Sequence, residues 1–239
     1  MSDGLLAPRP AAAAAAAVIT RVVDNLATVV RAPRETLELT VLVLVAEGHL
    51  VIEDIPGVGK TVLAKSLARS LALSFARVQF TPDLLPTDVT GVNVFDQRTS
   101  TFELRPGPVF ANVLLADEIN RASPKTQSAL LEAMQEVQVT IDGTTYPLDT
   151  PFLVIATQNP IEYEGTFPLP EAQLDRFTAR ISLGYPPPAE EARMLSEQTT
   201  RPPLDALRPV AGRGDVLAAI AAAREVYVEE SVGRYVVSL

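Results

Sequence analysis

The 239-residue sequence contains no cysteine, so it can form neither disulfides nor thiolate metal sites, and it carries no information about redox compartment. It has a single histidine, His49, which excludes a multi-histidine metal centre. That histidine reads as a strand-edge residue. Basic residues are outnumbered, with 20 Lys and Arg against 29 Asp and Glu, a formal net charge of -9 and a pI near 4.7. This balance argues against a broad basic face for nucleic acid or anionic lipid. No apolar run reaches the roughly 20 residues that a membrane span needs. The N-terminus lacks a charged segment leading into a leucine-rich core, so a cytoplasmic protein without an integral membrane segment is the expectation. What remains is a globular composition, 47% hydrophobic and 21% charged, long enough for one sizeable core.

The most informative stretch is Ile52 to Thr61. The apolar run Leu50-Val51-Ile52 predicts a strand, and Val62, Leu63, Leu67 and Leu71 have helical spacing; Pro56-Gly57-Val58-Gly59-Lys60-Thr61 lies between them. A strand that turns through Gly-x-Gly into a helix opening on Lys-Thr is the geometry of a phosphate-binding loop. The glycines permit close backbone approach to an anion, the lysine reaches the β and γ oxygens, and the hydroxyl ligates Mg²⁺. Candidate nucleotide contacts are therefore Pro56, Gly57, Val58, Gly59, Lys60, Thr61 and Val62. One position departs from the full motif, because Asp54 stands where the first glycine belongs. A carboxylate there is unfavourable beside a triphosphate unless it points away or pairs.

Along the chain, Met1 to Pro10 reads as a disordered tail, and the alanine run from Ala11 leads into an amphipathic helix ending before Pro33. A second helix from there to Gly48 precedes the loop. Phe75 to Phe80 alternates like a strand, and 91–107 predicts a hairpin around a polar tip. Val113 to Ala116 predicts a strand buried on both faces, which delivers Asp117 and Glu118 at its carboxyl end. In phosphoryl transfer, the first of such a pair holds the Mg²⁺ shell and the second orients and deprotonates the attacking water. Ser123-Pro124 begins another helix, and Val137 to Leu148 predicts a second hairpin turning at Asp142-Gly143. A further buried strand, Phe152 to Ala156, ends in Thr157-Gln158-Asn159-Pro160, where the amide of Asn159 can position water. Leu169 to Phe177 is a short helical segment bearing Asp175 and Arg176, and Thr178 to Leu183 is a fifth strand. Tyr185 to Pro188 reads as a linker to helices near 190–198, 216–226 and from Ser231.

These motifs together resemble the MoxR branch of the AAA+ ATPases. Glu53 to Thr61 is similar to that family's Walker A, Leu114 to Ala122 to its Walker B, Ala156 to Pro160 to its sensor 1, and Leu169 to Phe177 to the segment that ends in its arginine finger. The hairpins are similar to its helix-2 insert and pre-sensor-1 hairpin. The resemblance implies an α/β P-loop NTPase fold, three-layer αβα, with a five-stranded parallel sheet in the order 5-1-4-3-2. It implies an N-terminal tail and helix (1–32), an ATPase core (33–184) and a partial all-α lid (185–239), truncated before a sensor 2 arginine because Arg234 comes too early. It further implies ATP and Mg²⁺ as cofactors, Thr61 and Asp117 as metal ligands, and Glu118, Asn159 and Arg176 as catalytic residues. Arg176 would act on a neighbouring subunit's γ-phosphate, or in the simpler alternative pair with Asp175. The implied protein is a chaperone-like ATPase ring, a hexamer, working on a protein complex with a von Willebrand factor A domain partner and no nucleic acid. Two other readings stand beside it: a nucleotide-dependent binding switch with little turnover, suggested by Asp54 and the missing sensor 2, and the motor subunit of a metal chelatase.

Overall fold

The structure is a computed structural model and describes residues 10–160, 165–185 and 203–238. Two helices, α1 (Pro10–Ala27) and α2 (Arg34–Val45), lead to strand β1 (Leu50–Glu53) and helix α3 (Lys60–Ser70). Then come β2 (Phe75–Gln79), a single turn α4 (Pro86–Thr90), and the antiparallel pair β3 (Gly91–Asp96) and β4 (Thr101–Pro106). Strand β5 (Val113–Asp117), helix α5 (Pro124–Glu136), the pair β6 (Gln138–Ile141) and β7 (Thr144–Pro147), strand β8 (Leu153–Gln158), the short α6 (Glu171–Leu174) and β9 (Ala179–Ile181) complete the core. Among the described residues a four-residue helix, Pro203–Ala206, and two longer ones, Arg213–Arg224 and Glu230–Val237, follow.

The core strands form one parallel sheet in the order β2-β5-β8-β1-β9, which is the expected 5-1-4-3-2 arrangement read from the opposite edge. Its side chains alternate strictly between two apolar layers, as the period-2 pleat requires. Leu50, Ile52, Val113, Leu115, Leu153 and Ile155 face a cluster shared with α1, α2, α3 and the helix Arg213–Arg224. Val51, Leu114, Ala116, Val154 and Ala156 face the other cluster, with α5 and the hairpin β6–β7. Covering both faces explains why these strands are continuously apolar in sequence. Each fully buried Leu or Ile contributes about 1.5–3 kcal/mol relative to exposure, so the sheet is the rigid platform on which its carboxyl-end residues are placed.

Both expected hairpins form. In the first, Gly91 pairs with Pro106 and Asp96 with Thr101; in the second, Asp142 and Gly143 make the turn. Helix α3 ends at Ser70, three residues short of the expected end near Leu73, and the reason is a local C-cap. Ala72 takes a left-handed φ of 51°, and the Leu73 N–H donates to the Ala68 carbonyl at 2.9 Å. This is a Schellman closure with alanine where glycine is usual, so the sequence carries no stop mark. Of the expected tail, Met1 to Pro10, only Pro10 is among the described residues, and it opens α1; the rest of the tail, the linker prolines Pro186 to Pro188 and the helix at 190–198 lie outside them.

His49 requires a correction. It is not a strand-edge residue: it is buried, its Nδ1 accepts the Val154 N–H at 3.1 Å, and its Nε2 lies 3.0 Å from the Met134 carbonyl. Since Nδ1 is the acceptor, Nε2 carries the proton and donates to Met134. The ring also stands edge-on to Phe152, with centroids 5.7 Å apart. Burial lowers its pKa, only partly countered by the Met134 hydrogen bond.

Candidate nucleotide site

The loop 54–59 leaves β1 at the carboxyl end of the sheet and enters α3. Gly57 and Gly59 have φ of 90° and 98°, and a β-carbon at either would meet no atom within 4 Å. Backbone conformation, not crowding, therefore demands glycine there. Together with Pro56, Lys60 and Thr61 they line a cavity of about 360 Å³, whose other walls are Arg77, Gln79, Asp117, Glu118, Thr157 and Asn159. Val58 and Val62 turn the other way and pack against the core cluster, leaving only their backbone to face the loop.

The sheet register sets the rest. Strands β5 and β8 end side by side, with Ala116 opposite Ala156, so Asp117 and Glu118 emerge next to Thr157 and Asn159. The buried Thr157 hydroxyl donates to Asp117 Oδ1 at 2.7 Å and accepts the Glu118 N–H at 2.8 Å, tying both acidic residues to the neighbouring strand. Glu118 itself adopts a left-handed φ of 56°, a conformation that costs of order 1–3 kcal/mol for a non-glycine residue and clusters at functional sites. On the opposite side, Arg77 donates from Nη2 and Nε to Asp117 Oδ2 at 2.6 and 3.1 Å. Gln79 donates to Glu118 Oε2 at 2.8 Å, and Arg121 reaches the same oxygen at 3.2 Å. Burial lowers the Lys60 pKa, while Asp54, Asp117 and Glu118 pull it back upward.

The structure thus gathers Lys60, Thr61, Asp117, Glu118 and Asn159 around one cavity. It does not bring Arg176 there. Arg176 is exposed, lining a separate depression with Ser128, Leu131, Glu132, Gln135, Glu136 and Gln173, and among the described residues it makes no ion pair with Asp175. Three contributors escape sequence reasoning: Thr157, Arg77 and Gln79. Arg77 and Gln79 alternate with the buried Val78 on β2, so they share a face. Only the pairing of Gln79 with Asp117 shows which face it is. Asp54 resolves in favour of pointing away: its carboxylate turns from the cavity toward Ser182, Leu183 and Gly184. One of the two grounds for a low-turnover switch is thereby removed.

A five-stranded parallel αβα sheet with a phosphate loop after β1 and an acidic pair after a central strand defines the P-loop ATPases of the AAA+ class. A family model described as the ATPase family associated with various cellular activities (AAA) matches residues 49–179. The chain is 49% identical over 222 residues to the uncharacterized protein YeaC of Bacillus subtilis, covering 93% of this chain and 69% of that one. It is 46% identical over 203 residues to chaperone MoxR1 of Mycobacterium tuberculosis, covering 85% and 53%. A Cytophaga hutchinsonii protein whose crystal structure was solved as that of a candidate ATPase superposes with a TM-score of 0.84 at 42% identity, covering 95% of this chain and 69% of that one. The chain belongs to the MoxR family of AAA+ ATPases. It spans from about half to just over two thirds of the length of these relatives.

Proposed function

We propose that this chain binds ATP with Mg²⁺ and hydrolyses it as the motor unit of a chaperone-like assembly that remodels a partner protein complex. The observation that carries this reading is the convergence of Lys60, Thr61, Asp117, Glu118 and Asn159 on one cavity at the end of the sheet. The donor set fits the ligand. Loop N–H groups and the Lys60 ammonium suit a triphosphate, and the Thr61 hydroxyl and the Asp117 carboxylate, which line the same cavity, suit a hard cation that prefers oxygen. When bound, Mg²⁺ would neutralise charge on the β and γ oxygens.

The roles of the residues follow from their places. Lys60 leaves the Asp54 carbonyl for the phosphates, and Arg77 releases Asp117 so that its carboxylate can join Thr61. Glu118, held by Thr157 through its backbone, takes the proton of the attacking water, and Asn159 orients that water. Arg176 completes the site on an adjacent copy of the chain, because its exposed position outside the cavity suits action in trans. A closed ring, a hexamer, supplies such an arrangement to every subunit. The exposed hairpin β3–β4 is the element that meets the client, and a von Willebrand factor A domain protein is the proposed partner.

The test is a pair of substitutions. Lys60→Ala should abolish nucleotide binding, whereas Glu118→Gln should retain binding and stop turnover, with binding followed by calorimetry and turnover by phosphate release. Equal loss of binding in both would sink the role given to Glu118.

A further inference from the structure

Asp54 is buried, only 8% exposed, at the root of the phosphate loop. Its Oδ2 accepts three hydrogen bonds, from Ser182 Oγ at 3.0 Å and from the Leu183 and Gly184 N–H groups at 2.8 Å each. Its Oδ1 accepts the Ile55 N–H at 3.0 Å. Burial pushes the carboxyl pKa up, but the bonds from Gly184, Ser182, Leu183 and Ile55 together outweigh it and hold the group below its ordinary value. A carboxylate with four donors is a strong fixed anchor, and stripping it of them inside the protein would leave an uncompensated charge.

The backbone of the same residue faces the other way. Its carbonyl accepts Lys60 Nζ at 2.5 Å. That carbonyl and the Ile55 N–H are the two ends of one peptide unit. The unit is therefore restrained at its oxygen by the Lys60 ammonium and at its nitrogen by the Asp54 carboxylate, while the carboxylate's other oxygen grips residues 182–184. Those residues follow β9, where the chain leaves the sheet, and Gly184 has a φ of 64° that glycine tolerates without strain. One planar group thus connects the lysine to the exit from the core.

We propose that Asp54 is a positioning residue that transmits the state of Lys60 to Ser182–Gly184. The proposal rests on the reading of Lys60 as a phosphate ligand. When an anion draws the ammonium away, the peptide 54–55 loses the restraint on its oxygen and keeps the one on its nitrogen. It then turns, and the carboxylate and its three donors at 182–184 move with it. The departure from glycine at this position is on this view a functional addition to the loop.

The measurement is amide hydrogen exchange at Leu183 and Gly184 in the full 239-residue chain, with MgADP titrated in and binding followed in parallel by calorimetry. In the unaltered chain, saturation should shift exchange at both amides by about threefold or more, the scale of a weakened charged hydrogen bond. Lys60→Ala should produce the same shift without nucleotide. Asp54→Gly should raise exchange there about tenfold and make it indifferent to MgADP, while affinity falls by no more than about threefold. Asp54→Asn keeps the size of the side chain and one acceptor; it carries the same test if the glycine variant does not fold, with a response less than half that of the unaltered chain. Unresponsive amides in a chain that binds MgADP overturn the proposal, and so does an Asp54 variant whose amides respond as fully as the original. Failure of the unaltered chain to bind MgADP overturns the phosphate-loop reading itself, and this proposal with it.

Discussion

Strands β5 and β8 and the hairpin β3–β4 are both rich in large apolar side chains, yet they use them in opposite ways. Every residue of Val113–Ala116 and Leu153–Ala156 is fully buried, whereas Phe102 of the hairpin is 71% exposed and Phe95, directly opposite it, 48%. Their rings pack on each other, with centroids 5.2 Å apart. In the sheet, apolar burial fixes where the carboxylates stand. In the hairpin, the same residue types are held out to solvent, where they suit contact with another protein.

This contrast can be broken in three ways. Leu115→Ala should cost about 2–5 kcal/mol of stability because it opens a cavity in the sheet, while Phe102→Ala should stay within about 0.5 kcal/mol. Urea denaturation of both variants measures this, and similar losses would erase the distinction. A smaller effect is expected at the hairpin's base, where Gly91 has a φ of 92° and a β-carbon would stand 2.3 Å from the Arg105 carbonyl oxygen. Gly91→Ala should cost about 1–3 kcal/mol, which would show that the hairpin is exposed at its tip yet rigidly rooted; no measurable loss would mean that the base is as loose as the tip. The smallest effect concerns pH. His49 is the only histidine, and its folded pKa lies below its ordinary 6.5. Between the two values the unfolded chain binds more protons, so stability should be full above 6.5 and decline as pH falls below it. Denaturation midpoints from about pH 8 to about pH 5 check this slope; if it persists in His49→Gln, the pH dependence originates elsewhere.

The strands and both hairpins were legible because each rests on a local period bounded by turn residues, whereas the order of the strands in the sheet came only from the family resemblance. The loop and the acidic pair were legible because their chemistry constrains residue type at fixed spacing. What stayed hidden depends on register or on distant partners. Arg77 and Gln79 needed the pairing of β2 with β5, and the direction of Asp54 is decided by groups 128–130 residues downstream. His49 looked peripheral because it precedes a strand, but its two hydrogen bonds come from residues 85 and 105 positions away. The end of α3 was missed because an alanine occupies the left-handed position that glycine normally marks.

The hydroxyl of Thr157 gives and receives one hydrogen bond, and each goes to a different member of the acidic pair. In evolutionary terms this makes position 157 a bottleneck. Asparagine or aspartate would have to fit a longer side chain into a site with no exposed surface, and valine would keep the shape but leave the Glu118 N–H without its partner. Serine alone repeats both roles, so drift at this position has a single open door.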